Sequence, residues 1–353
     1  MTPTFDKIHL KFKLNGTNFD HEELKEVAYS LVKEGEPYEK ITGHFLLEWL
    51  DDNAFVVVQT SGSTGQPKAI KLRKQAMVNS CIATANYLGL EPGDSSLHCL
   101  PGQYIAGKMM LVRAMILGLE VDLVEPTSQP MFDYEKHYRF CAMLPMQLKS
   151  TLTYLHNVDI IIVGGSSVSK KLIASTQALK TKVFATYGMT ETATHIALKP
   201  INNTLETSFF EVLPGVSISQ DDRDCLVIEA PKVTTEKIVT NDIVKLHSAT
   251  HFEWLGRIDN VINSGGLKLF PEQIEEKLKE IIKTQFFIAS EEDETLGQRL
   301  ILVLEAENTS LVNSVFEDLG KFEIPKKIYT VSKFEMTETG KIQRKKTLAS
   351  IIK

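Results

Sequence analysis

The sequence predicts an α/β fold, with a large N-terminal domain of α/β layers that carries a β-rich subdomain and a small α+β domain behind it. Three observations predict this. Short apolar runs rich in β-branched residues, AFVVVQT at 54–60, DIIIVGG at 159–165 and KVFATYG at 182–188, alternate with stretches of helical periodicity, the pattern of a largely parallel sheet layered with helices. From about residue 209 the texture changes to short strands between turn residues, LPGVSISQDDRDCLVIEAP and KIVTNDIVKLHS, as in a small β-rich unit. After GRIDN at 256–260 it changes again, and the remaining stretch of about 95 residues has the size of a compact domain. The expected domains are therefore 1–257 and 258–353.

Taken in order, IHLKFK at 8–13 alternates like a half-exposed strand, and 21–50 carries apolar residues at helical spacing (Leu24, Val27, Ala28, Leu31, Val32, then Phe45, Leu46, Trp49, Leu50). The 54–60 strand ends in a loop of Gly, Ser and Thr, and a helix runs from Lys74 to Leu88. MMLVRAMILGLEVDLV, from Met109, is interrupted by Arg113, Glu120 and Asp122. It falls short of the ~20 apolar residues that span a bilayer and reads as a buried helix entering a strand. SKKLIASTQAL reads as a helix behind DIIIV. In the last domain PEQIEEKLKEII and LVNSVFEDLGKF read as helices, FFIAS and RLILVLEA as strands, ahead of a basic tail.

Composition bounds the function. The 353 residues are 43% hydrophobic and 24% charged, enough for a substantial core. A formal net charge of -6 argues against general attraction to nucleic acid or to an anionic membrane surface. Cys81, Cys99, Cys141 and Cys225 show no CxxC pair and no metal-ligand spacing, and read as buried apolar residues in a reducing compartment. The opening segment has no unbroken apolar stretch like that of a secretory signal, so a cytoplasmic location is expected.

The chemistry concentrates in a few segments. Thr60, Ser61, Gly62, Ser63, Thr64, Gly65, Gln66, Pro67 and Lys68 place hydroxyls, two glycines and a lysine directly after an apolar strand. Glycines let backbone amides approach phosphate oxygens, hydroxyls donate further bonds, and the lysine adds a point charge. It is no Walker loop, because no GK[ST] closes it. The segment TSGSTGQPK resembles the phosphate-loop signature of the adenylate-forming superfamily of acyl-CoA synthetases, luciferases and nonribosomal adenylation domains. Further segments are similar to that family's motifs in the family's order, over about residues 54–353. Gly164, Gly165 and Ser166 resemble its adenine-side loop. Tyr187-Gly188-Met189-Thr190-Glu191-Thr192 resembles its YGxTE motif. Thr240-Asn241-Asp242 resembles TGD, with Asn241 expected to tolerate the left-handed conformation of the usual glycine. Gly256-Arg257-Ile258-Asp259 matches GRxD, Ser264-Gly265-Gly266-Leu267-Lys268 its pantetheine-tunnel loop, and Thr339-Gly340-Lys341-Ile342-Gln343-Arg344 its TGKxxR tail.

The resemblance implies an ATP-dependent ligase that makes an acyl-adenylate and passes the acyl group to coenzyme A. It implies that the 60–68 loop holds phosphates, Gly165, Ser166 and Tyr187 the adenine, Thr190 the α-phosphate, and Asp242 and Arg257 the ribose. Glu191 would hold Mg2+, Lys341 would be the catalytic lysine, Asp259 the hinge, and Gly265, Gly266 and Lys268 would meet coenzyme A. Family members have a longer front end, so the resemblance implies an abbreviated first subdomain. An adenylating enzyme for another aromatic acid or with another acceptor, such as a carrier protein or water, and a noncatalytic nucleotide-binding protein are the other readings. CoA-dependent AMP formation separates the first two, and pyrophosphate release separates both from the third.

The acid is approached through residues 100–113. LPGQYIAG resembles the family's acyl-pocket segment, with Tyr104 where many members have histidine. Lys108 and Arg113 punctuate an otherwise apolar helix, an expensive place for cations unless they snorkel or meet an anion. A second carboxylate, the one not being activated, would pair with either, bidentate geometry favouring Arg113. The abbreviated front end is similar to short o-succinylbenzoate-CoA ligases of menaquinone biosynthesis, making that keto-diacid the expected substrate. No partner beyond acid, ATP and coenzyme A is expected.

Overall fold

The computed structural model describes residues 3–60, 68–308, 313–336 and 342–351. The chain opens with β1 (Lys13–Leu14) and β2 (Thr17–Asn18), then α1 (His21–Glu34) and α2 (Pro37–Trp49). Asp20 caps α1, its Oδ1 accepting from the Glu22 and Glu23 amides at 3.0 and 2.9 Å while Glu23 Oε2 accepts from the Asp20 amide at 2.9 Å. This reciprocal box satisfies donors that a helix start otherwise leaves free. Of residues 8–13 only Lys13 lies in a strand. Phe12 instead turns back, its amide donating to the His9 carbonyl at 2.9 Å, and its ring is fully buried.

A separate hairpin follows, β3 (Phe55–Thr60) and β4 (Lys68–Arg73), and then α3 (Lys74–Leu88). Lys74 is completely buried at the hairpin's base, where Nζ donates to Asp51 Oδ1 at 2.7 Å and to the Asp51 carbonyl at 2.9 Å. A buried ammonium is tolerated only with such partners, so this contact ties the hairpin to the end of α2.

The parallel core comprises β5 (Ser95–His98), β6 (Glu120–Leu123), β7 (Tyr138–Met143), β8 (Val158–Val163) and β9 (Lys182–Gly188). Between them run α4 (Ile105–Leu117), α5 (Pro145–Thr151) and α6 (Lys170–Thr176). Alternate residues face two cores. Phe140, Ala142, Ile160 and Ile162 join α1 to α4 on one side, while Cys141, Met143, Ile161 and Val163 pack with Leu148 and Leu172 on the other. Strands covered on both faces read as unbroken apolar runs. All four cysteines are free and buried. No described helix is long and apolar enough to cross a membrane.

The β-rich stretch supplies β10 (His195–Pro200), β11 (Phe210–Val212), β12 (Ser217–Gln220), β13 (Cys225–Glu229), β14 (Ile238–Leu246) and β15 (His251–Arg257). Rather than forming its own sheet it extends the first one, in the order β12-β13-β14-β15-β11-β10-β9-β8-β7-β5-β6-β1-β2, by antiparallel pairing of β10 with β9.

After a short 3-10 turn, Ile258–Asn260, a second sheet begins: β16 (Ile262–Ser264), β17 (Leu267–Leu269), β18 (Phe286–Asp293), β19 (Gly297–Glu305) and β20 (Lys327–Val331), with α7 (Pro271–Leu278) and α8 (Arg344–Ala349). The strand at 327–331 was not evident from its mixed polar and apolar pattern. Where LVNSVFEDLGKF predicts a helix, the described part forms only the 3-10 turn Asn313–Phe316.

Candidate active site

β9, β14 and β15 bring the nucleotide-side residues together. Asp242 is 8% exposed and lies across from Arg257 in the β14–β15 ladder. Its Oδ2 accepts from the Tyr187 hydroxyl at 2.7 Å and its Oδ1 from Trp254 Nε1 at 3.2 Å, with Arg257 at 3.9 Å. Burial, then the Asp242 carboxylate, push the Tyr187 phenol far above its usual range, so it serves as a neutral donor. Its ring packs edge-on against Phe252, centroids 5.1 Å apart. Trp254, which no motif singles out, completes the cluster because strand pairing delivers it. Asn241 lies within β14 and is not among the residues at positive φ. The expected left-handed conformation is absent: an extended strand asks nothing of asparagine that glycine alone supplies.

Thr60 and Lys68 face one another across the β3–β4 ladder, while Ser61, Gly62, Ser63, Thr64, Gly65, Gln66 and Pro67 lie outside the described residues. The strand therefore returns as a second strand before α3 begins. The 3-10 turn Thr190–Thr192 packs against β4, so the YGMTET segment meets the hairpin. Thr192 is buried and its hydroxyl binds the Met189 and Thr194 carbonyls at 2.8 and 2.6 Å, which leaves Thr190 and the exposed Glu191 to face outward. At Gly188 a Cβ would lie 2.4 Å from the Thr194 carbonyl oxygen, so only glycine fits there. On the other side of β9 the adenine-loop candidates follow β8. Gly165 has φ +85° and Ser166 is exposed.

No group of three or more His, Cys, Asp or Glu among the described residues forms a metal cage. A lone exposed carboxylate fits Mg2+, which keeps several waters and is bound through one or two carboxylates plus substrate phosphates.

On α4 the two cations differ. Lys108 Nζ lies 3.8 Å from Glu48 and 4.4 Å from the Phe45 ring centroid, a snorkelled lysine with partners. Arg113 is 2% exposed. Among the described residues its Nε and one terminal nitrogen have no partner, and the other reaches only Met110 Sδ at 3.8 Å. Beside it are Cys81, whose thiol burial pushes up to about 12, and His195, held well below its usual range by burial and then by Arg113. Thr84 spends its hydroxyl proton on the Ser80 carbonyl at 3.0 Å, so it accepts from His195 Nε2 at 3.2 Å. The neutral ring is thereby fixed with its proton on Nε2. His195, four residues past Glu191, was missed in sequence because nothing marks it as buried. Tyr104 stands at the N-terminus of α4, 43% exposed.

At the second sheet's start Asp259 is paired with Arg257 at 2.9 Å, which holds its carboxyl below the usual range. Gly265 and Gly266, φ +57° and +82°, form a two-residue turn between β16 and β17, as a type I′ hairpin requires. Lys268 is exposed and pairs with Asp224 at 3.2 Å. Lys341 lies outside the described residues.

The AMP-binding enzyme family matches residues 17–218. The 2-succinylbenzoate–CoA ligase of Listeria monocytogenes is 27% identical, over 94% of this chain and 75% of its own. Among solved structures, an acyl-CoA synthetase (AMP-forming)/AMP-acid ligase II-like protein from Dyadobacter fermentans is 35% identical over 92% of this chain and 98% of its own, with a TM-score of 0.63. The o-succinylbenzoate CoA synthetase of Bacillus subtilis, in complex with an acyl-adenylate intermediate, shares the fold at 21% identity and a TM-score of 0.69, over 82% of this chain and 68% of its own. With the family matched over more than half its length and a relative at 35% identity along nearly all of it, this chain belongs to the AMP-binding enzyme family.

Proposed function

We propose that the chain is an AMP-forming carboxylate–CoA ligase acting on o-succinylbenzoate through an acyl-adenylate. The observation that carries the substrate is the buried Arg113, whose guanidinium lacks an anion among the described residues. Burying an ionised group without a partner is costly, and a ligand carboxylate would supply one. The 2-succinylbenzoate–CoA ligases among its relatives support the same acid.

In the first half-reaction a carboxylate oxygen attacks the α-phosphorus of ATP and pyrophosphate leaves. Two anions must meet, so positive charge has to be supplied. Mg2+, near Glu191, would neutralise phosphate charge. The 60–68 hairpin would cradle the phosphates, Asp242 would accept from the ribose hydroxyls, and Lys341 would lie between carboxylate and α-phosphate. Arg113 would hold the second carboxylate, beside His195 and its partner Thr84. In the second half-reaction the thiol of coenzyme A attacks the acyl carbon, AMP leaves, and a thioester forms. Residues 258–353 would turn about Asp259 as the mobile domain and bring Gly265, Gly266 and Lys268 to coenzyme A.

The test is AMP release with ATP, Mg2+ and coenzyme A across o-succinylbenzoate, benzoate and medium-chain fatty acids. The diacid is expected to be preferred; a preferred monoacid, or AMP release that does not depend on coenzyme A, overturns the reading. Asp242→Asn keeps the shape but removes the charge facing the ribose. Hydrogen bonds to charged groups contribute about 1.5–3 kcal/mol, so the Kd for AMP should rise roughly tenfold or more by calorimetry. The amide can still accept from Trp254, and Tm should move little.

A further inference from the structure

α6 begins four residues beyond Ser166. Its N-cap, Ser169, accepts from the Leu172 amide at 3.2 Å, which leaves the first two helical amides to find acceptors elsewhere. They find them on the second sheet's helix. The Lys170 amide donates to Glu276 Oε1 at 3.1 Å and the Lys171 amide to Glu280 Oε1 at 3.2 Å. Between these acids Lys279 Nζ donates to Ser167 Oγ at 3.2 Å. Glu276 and Glu280 are one turn apart, on α7 and its continuing turn, so a single helical face grips both the start of α6 and the end of the 164–167 loop.

Each acid is partly exposed and lies more than a hundred positions along the chain from its amide partner. Within their own unit α7 has other fixings. Glu275 pairs with Arg344 at 2.7 Å and accepts from the Ile288 amide at 2.8 Å, and Lys277 pairs with Glu323 at 2.6 Å. Glu276 also pairs through Oε2 with Lys279 on its own helix at 3.1 Å, but its Oε1, like the Glu280 Oε1, reaches out of the unit to the start of α6.

We propose that Glu276 and Glu280 are positioning residues for the nucleotide-side loop at 164–167, capping α6 while the 258–353 unit is docked in this orientation, so that nucleotide binding and docking favour one another. This rests on the nucleotide site of the reading above. Coupling between two sites is reciprocal: AMP must strengthen docking by the factor by which docking strengthens AMP binding.

The experiment uses the full chain and AMP as probe, with spin labels at Ala178→Cys and Glu294→Cys, since the native cysteines are buried. In the wild type AMP should narrow the distance distribution between the labels. Glu276→Ala with Glu280→Ala should weaken AMP about fivefold or more, raise the KM for ATP and abolish the narrowing, while the Glu→Gln pair, still able to accept, falls between. Glu323→Gln, which breaks a contact inside the second unit, should leave AMP affinity unchanged. AMP affinity within twofold of wild type in the alanine pair, or narrowing retained, overturns the proposal. A wild type that binds no AMP overturns the functional reading as well, and that result is distinct from AMP binding that ignores the two acids.

Discussion

Lys341→Ala is expected to lower acyl-adenylate formation by ~10²-fold or more, because it removes a charge aimed at the transition state rather than at either ground state. The same variant should convert preformed acyl-adenylate and coenzyme A to thioester at close to the wild-type rate. The first half-reaction brings a carboxylate against a phosphate, and the second brings a thiol against an acyl carbon that is already activated. Only the first needs a cation between two anions. Pyrophosphate exchange measures one step and single-turnover thioester formation the other. Equal loss in both, or wild-type adenylation, would reduce the TGKIQR tail to a structural role.

Much of this was legible in the sequence because the informative residues are close together along the chain. β8 and β9 announce themselves as apolar runs, since both of their faces are covered, whereas β5, β6 and β7 carry polar residues and AFVVVQT forms an antiparallel hairpin outside that sheet; the helix from Lys74 to Leu88 has those bounds in the structure. The motif residues Tyr187, Asp242 and Arg257 do converge, although spacing alone could not have said so. What stayed hidden depends on pairing across long separations. Trp254 reaches Asp242 through the β14–β15 hairpin, His195 reaches Thr84 across 111 positions, and α7 reaches α6 across more than a hundred. The strand expected at 8–13 failed because alternation in sequence guarantees neither burial nor a neighbour to pair with: Leu10 is 91% exposed although Phe12 is buried. Residues 8–12 are held by a turn and by the His9 amide on the Met115 carbonyl. In sequence only the bidentate geometry of a guanidinium favours Arg113 over Lys108, and in the structure Glu48 and the Phe45 ring occupy the lysine and so separate the two.

That separation carries the sharpest expectation for specificity. Arg113→Met keeps an unbranched stem, shorter than arginine's, and removes the charge. If the guanidinium exists to meet the second carboxylate, kcat/KM for o-succinylbenzoate should fall by roughly 10²-fold or more, the scale on which a buried charge pair loses one partner. Benzoate, which has no second carboxylate, should be used as well as before. Stability should move in the other direction. The free protein buries a cation without an anion among the described residues, and an apolar side chain in its place relieves that desolvation, so Tm of the unliganded variant should rise. Lys108→Met should change the diacid-to-monoacid ratio far less, because its ammonium already has Glu48 at 3.8 Å and the Phe45 ring beneath it. Thermal unfolding with and without each acid, beside steady-state rates, distinguishes the two roles. A specificity residue makes the variant more stable and less selective, whereas a structural arginine makes it less stable with the ratio unchanged, and that second pattern would remove Arg113 from the acyl site.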